Sequence, residues 1–209
     1  KDVLTSTRIK ETLKHSRKQA FANYMIQCYS KQLEEAHTKV LPKLHSYIAL
    51  AKLRHYVARE YEQQKLARKL KKKGICVVYG YGGVGKSTLV AHYGHEQKSK
   101  KTVWWISAET WDKLIRSCEN IAQELGINYQ ALVQEFKEDS SKYLPELARK
   151  VYHALEDRGQ PTLIILDNAP NSTLITECLS NKPDFVQVII TTRDKRGFAD
   201  YSKIQLGPF

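Results

Sequence analysis

ICVVYGYGGVGKSTLV, residues Ile75 to Val90, is the stretch on which the reading of the chain turns. It opens with an apolar run, passes through a glycine-rich middle and closes on apolar residues at helical spacing. Within it, Gly80 to Ser87 matches G-x-x-x-x-G-K-[S/T] in full, between an expected strand and a helix expected from Lys86 to about Tyr93. Gly80, Gly82, Gly83 and Gly85 permit positive φ and let the backbone approach an anion closely. Backbone N–H groups from Gly80 to Thr88, those of Tyr81 and Val84 included, would converge on a phosphate at a helix N-terminus, where the dipole favours negative charge. Lys86 adds a mobile cation for the terminal phosphates, and the Ser87 hydroxyl is a magnesium ligand by type. The expected ligand is the polyphosphate of a purine nucleotide.

Outward from the cradle the pattern repeats. VWWI (103–106), LIIL (163–166), VIIT (188–191) and KIQL (203–206) are short apolar runs suited to strands covered on both faces. Helical stretches separate them. One carries Trp111, Leu114, Ile115, Cys118, Ile121, Ala122 and Leu125 on one face and ends at Gly126; another carries Leu144, Leu147, Val151 and Leu155 and stops before Gly159 and Pro161. Alternating strand and helix predicts an α/β, doubly wound parallel sheet. Trp104 and Trp105 are adjacent and should face opposite helical layers.

Two further segments carry chemistry. LIILDNA ends a strand with Asp167, placed to hold magnesium, and follows it with Asn168 where a second acid often stands. VIITTRDK puts Arg193 just after a strand at the same edge, where a guanidinium fork suits a γ-phosphate. Asn181–Asp184 spells NKPD, a guanine-reading pattern in GTPases. It precedes a strand here instead of following one, so it reads as a loop. His92 and His95 lack a third ligand and read as helix-surface or packing residues.

Charge divides the chain. Residues 1–73 carry 18 Lys+Arg against 6 Asp+Glu, and the remaining 136 carry 16 against 16. The basic part reads as helix from about Arg8 to Leu53, with Phe21, Tyr24, Met25, Cys28 and Tyr29 in one stripe. Pro42 divides it, and Leu44, Tyr47, Ile48 and Ala51 begin a second stripe; Glu60–Leu70 reads as a further helix. Cys28, Cys76, Cys118 and Cys178 lie far apart, as in a reduced cytosolic protein, so a cytoplasmic location is expected. No run is long and apolar enough for a membrane span to be expected. The chain starts at Lys1 and stops at Phe209, as a piece of a longer protein would.

Four segments in order, YVAREYEQQKLARKL (56–70), VVYGYGGVGKSTLV, LIILDNA and VIITTRD, resemble the NB-ARC group of STAND signal-transduction ATPases, with Ala58 in place of that group's usual glycine. The resemblance implies a P-loop sheet of order 5-1-4-3-2 in residues 56–209, preceded by a basic helical region in 1–55. It implies Val57, Ala58 and Arg59 near an adenine, and ATP or ADP with magnesium held by Ser87 and Asp167. Lys86, Asp167 and Arg193 would serve catalysis. It further implies a switch that is closed with ADP and a homo-oligomer with ATP, and an effector or adaptor protein reached through the N-terminal helices. An amide at Asn168 takes no proton, so slow hydrolysis is expected. The alternative is a nucleic-acid-dependent ATPase that uses the basic helices, and nucleic acid is the less favoured partner.

Overall fold

The apolar runs after Gly74 become five parallel strands of one sheet. A computed structural model describes residues 44–51, 57, 59–137, 140–170, 173–194, 196 and 198–208. The elements are α1 (Glu60–Lys73), β1 (Ile75–Tyr79), α2 (Lys86–Gln97), β2 (Thr102–Ser107), α3 (Trp111–Glu124), α4 (Tyr129–Glu135), α5 (Ser140–Arg158), β3 (Thr162–Asp167), α6 (Thr173–Ser180), β4 (Val186–Thr192) and β5 (Ser202–Gln205). Strand order is β2-β3-β4-β1-β5, which is 5-1-4-3-2 read from the other edge. The strand leading to Arg193 thus lies between the cradle strand and the strand ending in Asp167.

Side chains alternate along each strand and build two cores. On one face Leu66 and Leu70 of α1 and Leu89 and Val90 of α2 pack with Val78, Trp105, Ile165 and Ile189. On the other, Leu114 of α3, Leu132 of α4, Leu147 of α5 and Ile175 of α6 pack with Val77, Trp104, Ile164 and Ile190. The adjacent tryptophans do serve opposite layers. The two short helices α4 and α6 span about two turns each, too few for a readable stripe. In α2, Gly94 permits close packing, because a Cβ there would lie 2.9 Å from Ile165 Cδ1 and 3.1 Å from Ile48 Cδ1. No helix among the described residues is long and apolar enough to cross a membrane.

The N-terminal expectation is corrected over residues 44–51. Residues 44–51, expected as helix, form none, and Tyr47 makes a parallel bridge to Trp104 at the outer edge of β2. Tyr47 N–H donates to Val103 O (2.8 Å), Trp105 N–H donates to Tyr47 O (2.9 Å), and Val103 N–H donates to Ser46 Oγ (2.9 Å). An edge strand's polar groups need partners, and meeting that need outweighed the local helical spacing. Leu44 and Ile48 therefore pack with opposite cores. Leu44–Phe209 form one compact unit, so residues 44–51 belong with the sheet. The helix expected over the rest of 1–55, its stripe from Phe21 to Tyr29 and Ala58 lie outside the described residues.

Candidate functional site

The carboxyl ends of β3, β4 and β1 lie side by side, and each delivers one element of the site. From β1 comes the glycine loop. Gly83 (φ 76°) and Gly85 (φ 91°) adopt the left-handed conformation, and a Cβ at either would meet nothing within 4 Å, so it is conformation and not crowding that calls for glycine there. Gly80 serves differently: a Cβ there would sit 2.4 Å from the Leu206 carbonyl oxygen, where β5 exits. Of the four glycines that permit positive φ, Gly83 and Gly85 use it. Gly82 uses neither device; a Cβ on it would come within 3.7 Å of the Arg193 guanidinium carbon.

Helix α2 starts at Gly85 with no side-chain cap and no acid in its first turn. Its unpaired N–H groups and Lys86 make that end fit for an anion. Lys86 is buried, and its Nζ donates to Gly80 O (2.9 Å) and Tyr81 O (2.8 Å), which clasps the loop's entry. Burial lowers its pKa, and the Arg193 guanidinium lowers it further while the Asp167 carboxylate opposes both. Lys86, Arg193 and Asp167 thus share one electrostatic site.

From β3 comes Asp167. Its Oδ1 accepts from Ser87 Oγ (2.7 Å) and from Thr191 Oγ1 (2.6 Å). A hydroxyl and a carboxylate oxygen of this kind suit a hard divalent cation, so Ser87 and Asp167 fit magnesium by chemistry and by proximity. Thr191 also accepts from Asn168 N–H (2.8 Å), and its carbonyl accepts from Ala169 N–H (2.8 Å). Asn168 itself is left-handed (φ 59°), a conformation that asparagine tolerates. Thr191 therefore shapes the chain just past Asp167, a role that sequence reasoning missed. The available signal was a hydroxyl inside a run otherwise buried on both faces.

From β4 comes Arg193, exposed and lying over Gly82. Arg59, which the resemblance places near an adenine, buries its side chain. Its Nη1 donates to Gly207 O (2.9 Å) and its Nη2 donates to Val84 O (3.3 Å), and Glu62 lies at 3.8 Å. It ties the start of α1 to the cradle and to the exit of β5. Val57 is exposed.

The features set aside keep their ordinary roles. Lys182 of NKPD donates to Pro183 O (3.0 Å) and approaches Gly74 at the entry of β1, the edge opposite the cradle. His92 Nδ1 lies 3.0 Å from Gln63 Nε2, and His95 Nε2 lies 2.8 Å from Leu50 O. Among the described residues no cluster of His, Cys, Asp and Glu is suited to a metal.

The NB-ARC domain model matches residues 59–204. Cdc6p from Pyrobaculum aerophilum is similar in structure, with a TM-score of 0.52 and 16% identity over 77% of this chain and 48% of that one. The Walker-type ATPase PABY2304 of Pyrococcus abyssi gives 0.43 at 14% identity over 82% of this chain and 57% of that one. PCH-2 of C. elegans gives 0.42 at 15% over 71% and 41%. The chain spans about half the length of these structures, and the likeness to Cdc6p, at 16% identity, speaks to fold alone. No curated protein sequence matches it.

Proposed function

The chain belongs to the NB-ARC family of nucleotide-binding P-loop ATPases, and from that premise we propose that it is a slow switch operated by ATP and ADP. The observation that carries the reading is the meeting of Ser87, Asp167 and Arg193 around one glycine loop. Gly80 to Thr88 would hold the α- and β-phosphates, Lys86 and Arg193 the γ-phosphate, and Ser87 and Asp167 the magnesium ion. The chemistry a magnesium ion held by those two side chains would supply is charge compensation for the phosphates. Groups that reach the γ-phosphate can favour ATP in one conformation, and a ligand bound equally by both conformations shifts nothing. Asn168 offers no proton acceptor where an acid would speed hydrolysis, which supports holding over turnover. Assembly in the ATP state, an effector or adaptor partner and a cytoplasmic location complete the proposal and rest on the family resemblance.

Calorimetry of the whole chain with ATP, ADP and GTP, with and without magnesium, tests the core of it. ATP and ADP should bind, magnesium should tighten ATP, and Arg193→Ala should weaken ATP while sparing ADP. Light scattering should then register larger particles with ATP than with ADP. Folded protein that takes up no nucleotide would end the proposal.

A further inference from the structure

We propose that the groove between the basic flank of α1 and the start of β5 binds the phosphodiester backbone of single-stranded nucleic acid, with Tyr61 stacking a base. Lys65, Arg68, Lys69 and Lys72 recur at three- and four-residue steps, which places them along one side of α1. From Lys65 to Lys72 the row runs about 10 Å at the α-helical rise. With Tyr61 and Ser202 these side chains line an open groove of about 380 Å³. The helix's acids, Glu60 and Glu62, sit in its first turn, and Glu62 lies 3.8 Å from Arg59. Among the described residues no carboxylate pairs with Lys65, Arg68, Lys69 or Lys72.

Cations at a helix C-terminus are stabilised by the dipole, and that accounts for Lys71, Lys72 and Lys73. The effect falls off within the last turn, so it does not account for Lys65, Arg68 and Lys69. Like charges gathered in a recess repel one another unless a polyanion joins them. The recess also indicates which polyanion. A planar lipid surface engages protruding cations and apolar anchors, whereas a chain with one charge per unit can lie within a groove. Tyr61, 65% exposed at the groove's end, has Lys65 Nζ 5.6 Å from its ring centroid and leaves aromatic surface for a base. An electrostatic groove flanked by an aromatic platform is how single strands are held without sequence preference. The basic row runs towards Gly74, at the entry of β1, whereas the opposite end of α1 is the one that Arg59 ties to the cradle. The proposal therefore stands apart from the nucleotide-switch reading, and either can fail alone.

The test uses the full chain and fluorescence anisotropy with labelled oligothymidine and oligouridine of about 20 nucleotides. Binding should weaken as salt rises from about 50 mM. Lys65→Gln with Lys69→Gln should lower affinity at least tenfold and flatten the log–log salt slope by about 1.4, at about 0.7 per lost phosphate contact. Tyr61→Ala should lower affinity and leave that slope unchanged. Circular dichroism melting keeps unfolding apart from lost contact, and Lys65→Arg with Lys69→Arg should retain binding. Absent oligonucleotide binding would overturn the proposal, and so would binding that the glutamine pair leaves intact, since residues 1–43 are basic too. Tighter capture of phosphatidylserine vesicles or polyglutamate through the same residues would also overturn it.

Discussion

Thr191→Val separates the positioning of Asp167 from the fold. Thr191 is 1% exposed, and its hydroxyl bonds both the Asp167 carboxylate (2.6 Å) and the Asn168 N–H (2.8 Å). Valine keeps the shape and removes both bonds. A bond to a charged group contributes about 1.5–3 kcal/mol, and a buried donor left unpaired costs about 1–3 kcal/mol. Asn168 is half-buried, so water can relieve its N–H, and the added methyl group returns roughly 0.8 kcal/mol. The net expectation is a loss of about 2 kcal/mol, read as a lower urea midpoint with an unchanged slope. Asp167 retains Ser87 but loses one of two groups that aim it. Partners that orient a metal ligand are typically worth about 10- to 100-fold in metal affinity. The assay is calorimetric titration of ATP with and without magnesium. The increment that magnesium adds should fall about 10- to 100-fold, while magnesium-free binding changes by less than about twofold. Thr191→Ser should restore both properties. A folded Thr191→Val chain with the full magnesium increment would refute the role assigned to Thr191.

Three other outcomes follow from the same geometry. Asn168→Asp should raise single-turnover ATP hydrolysis by about 10²- to 10⁴-fold if the new acid meets the attacking water; fast turnover by the native chain, unchanged by the substitution, would contradict slow switching. Gly80→Ala forces a Cβ to within 2.4 Å of a backbone oxygen and should cost about 1–3 kcal/mol in urea unfolding. Gly82→Ala, with 3.7 Å to a movable side chain, should cost far less, so equal losses would contradict this reading. Burial pushes the thiols of Cys76, Cys118 and Cys178 up to about 12 from an ordinary 9.0, so they should resist a thiol reagent at pH 8 until the chain is unfolded. The folded state then holds more protons than the unfolded one between those two values. Stability from this source is therefore present below about pH 9 and declines as pH rises towards 12.

The cradle could be read directly from the order of residues. A glycine-rich turn between an apolar strand and a helix works through local backbone conformation and a local dipole, and both follow from neighbours in the chain. Strands and long helices were legible from local signals too, the strands as short apolar runs buried on both faces and the helices through the 3.6-residue period that the backbone sets. Asp167 and Arg193 could be placed at strand ends, but their convergence waited on strand order, and β4 between β1 and β3 supplies it. The remaining features are properties of approach between distant segments. Residues 44–51 gave up helical spacing because β2 had an edge to be paired, and Gly80 is required by the Leu206 carbonyl more than one hundred residues away. Arg59 turns inward to carbonyls contributed by Val84 and Gly207, and Thr191 acts on a carboxylate 24 positions earlier. Hydrogen bonds of a few ångströms depend on where distant backbones meet, which tertiary packing decides and local spacing does not encode.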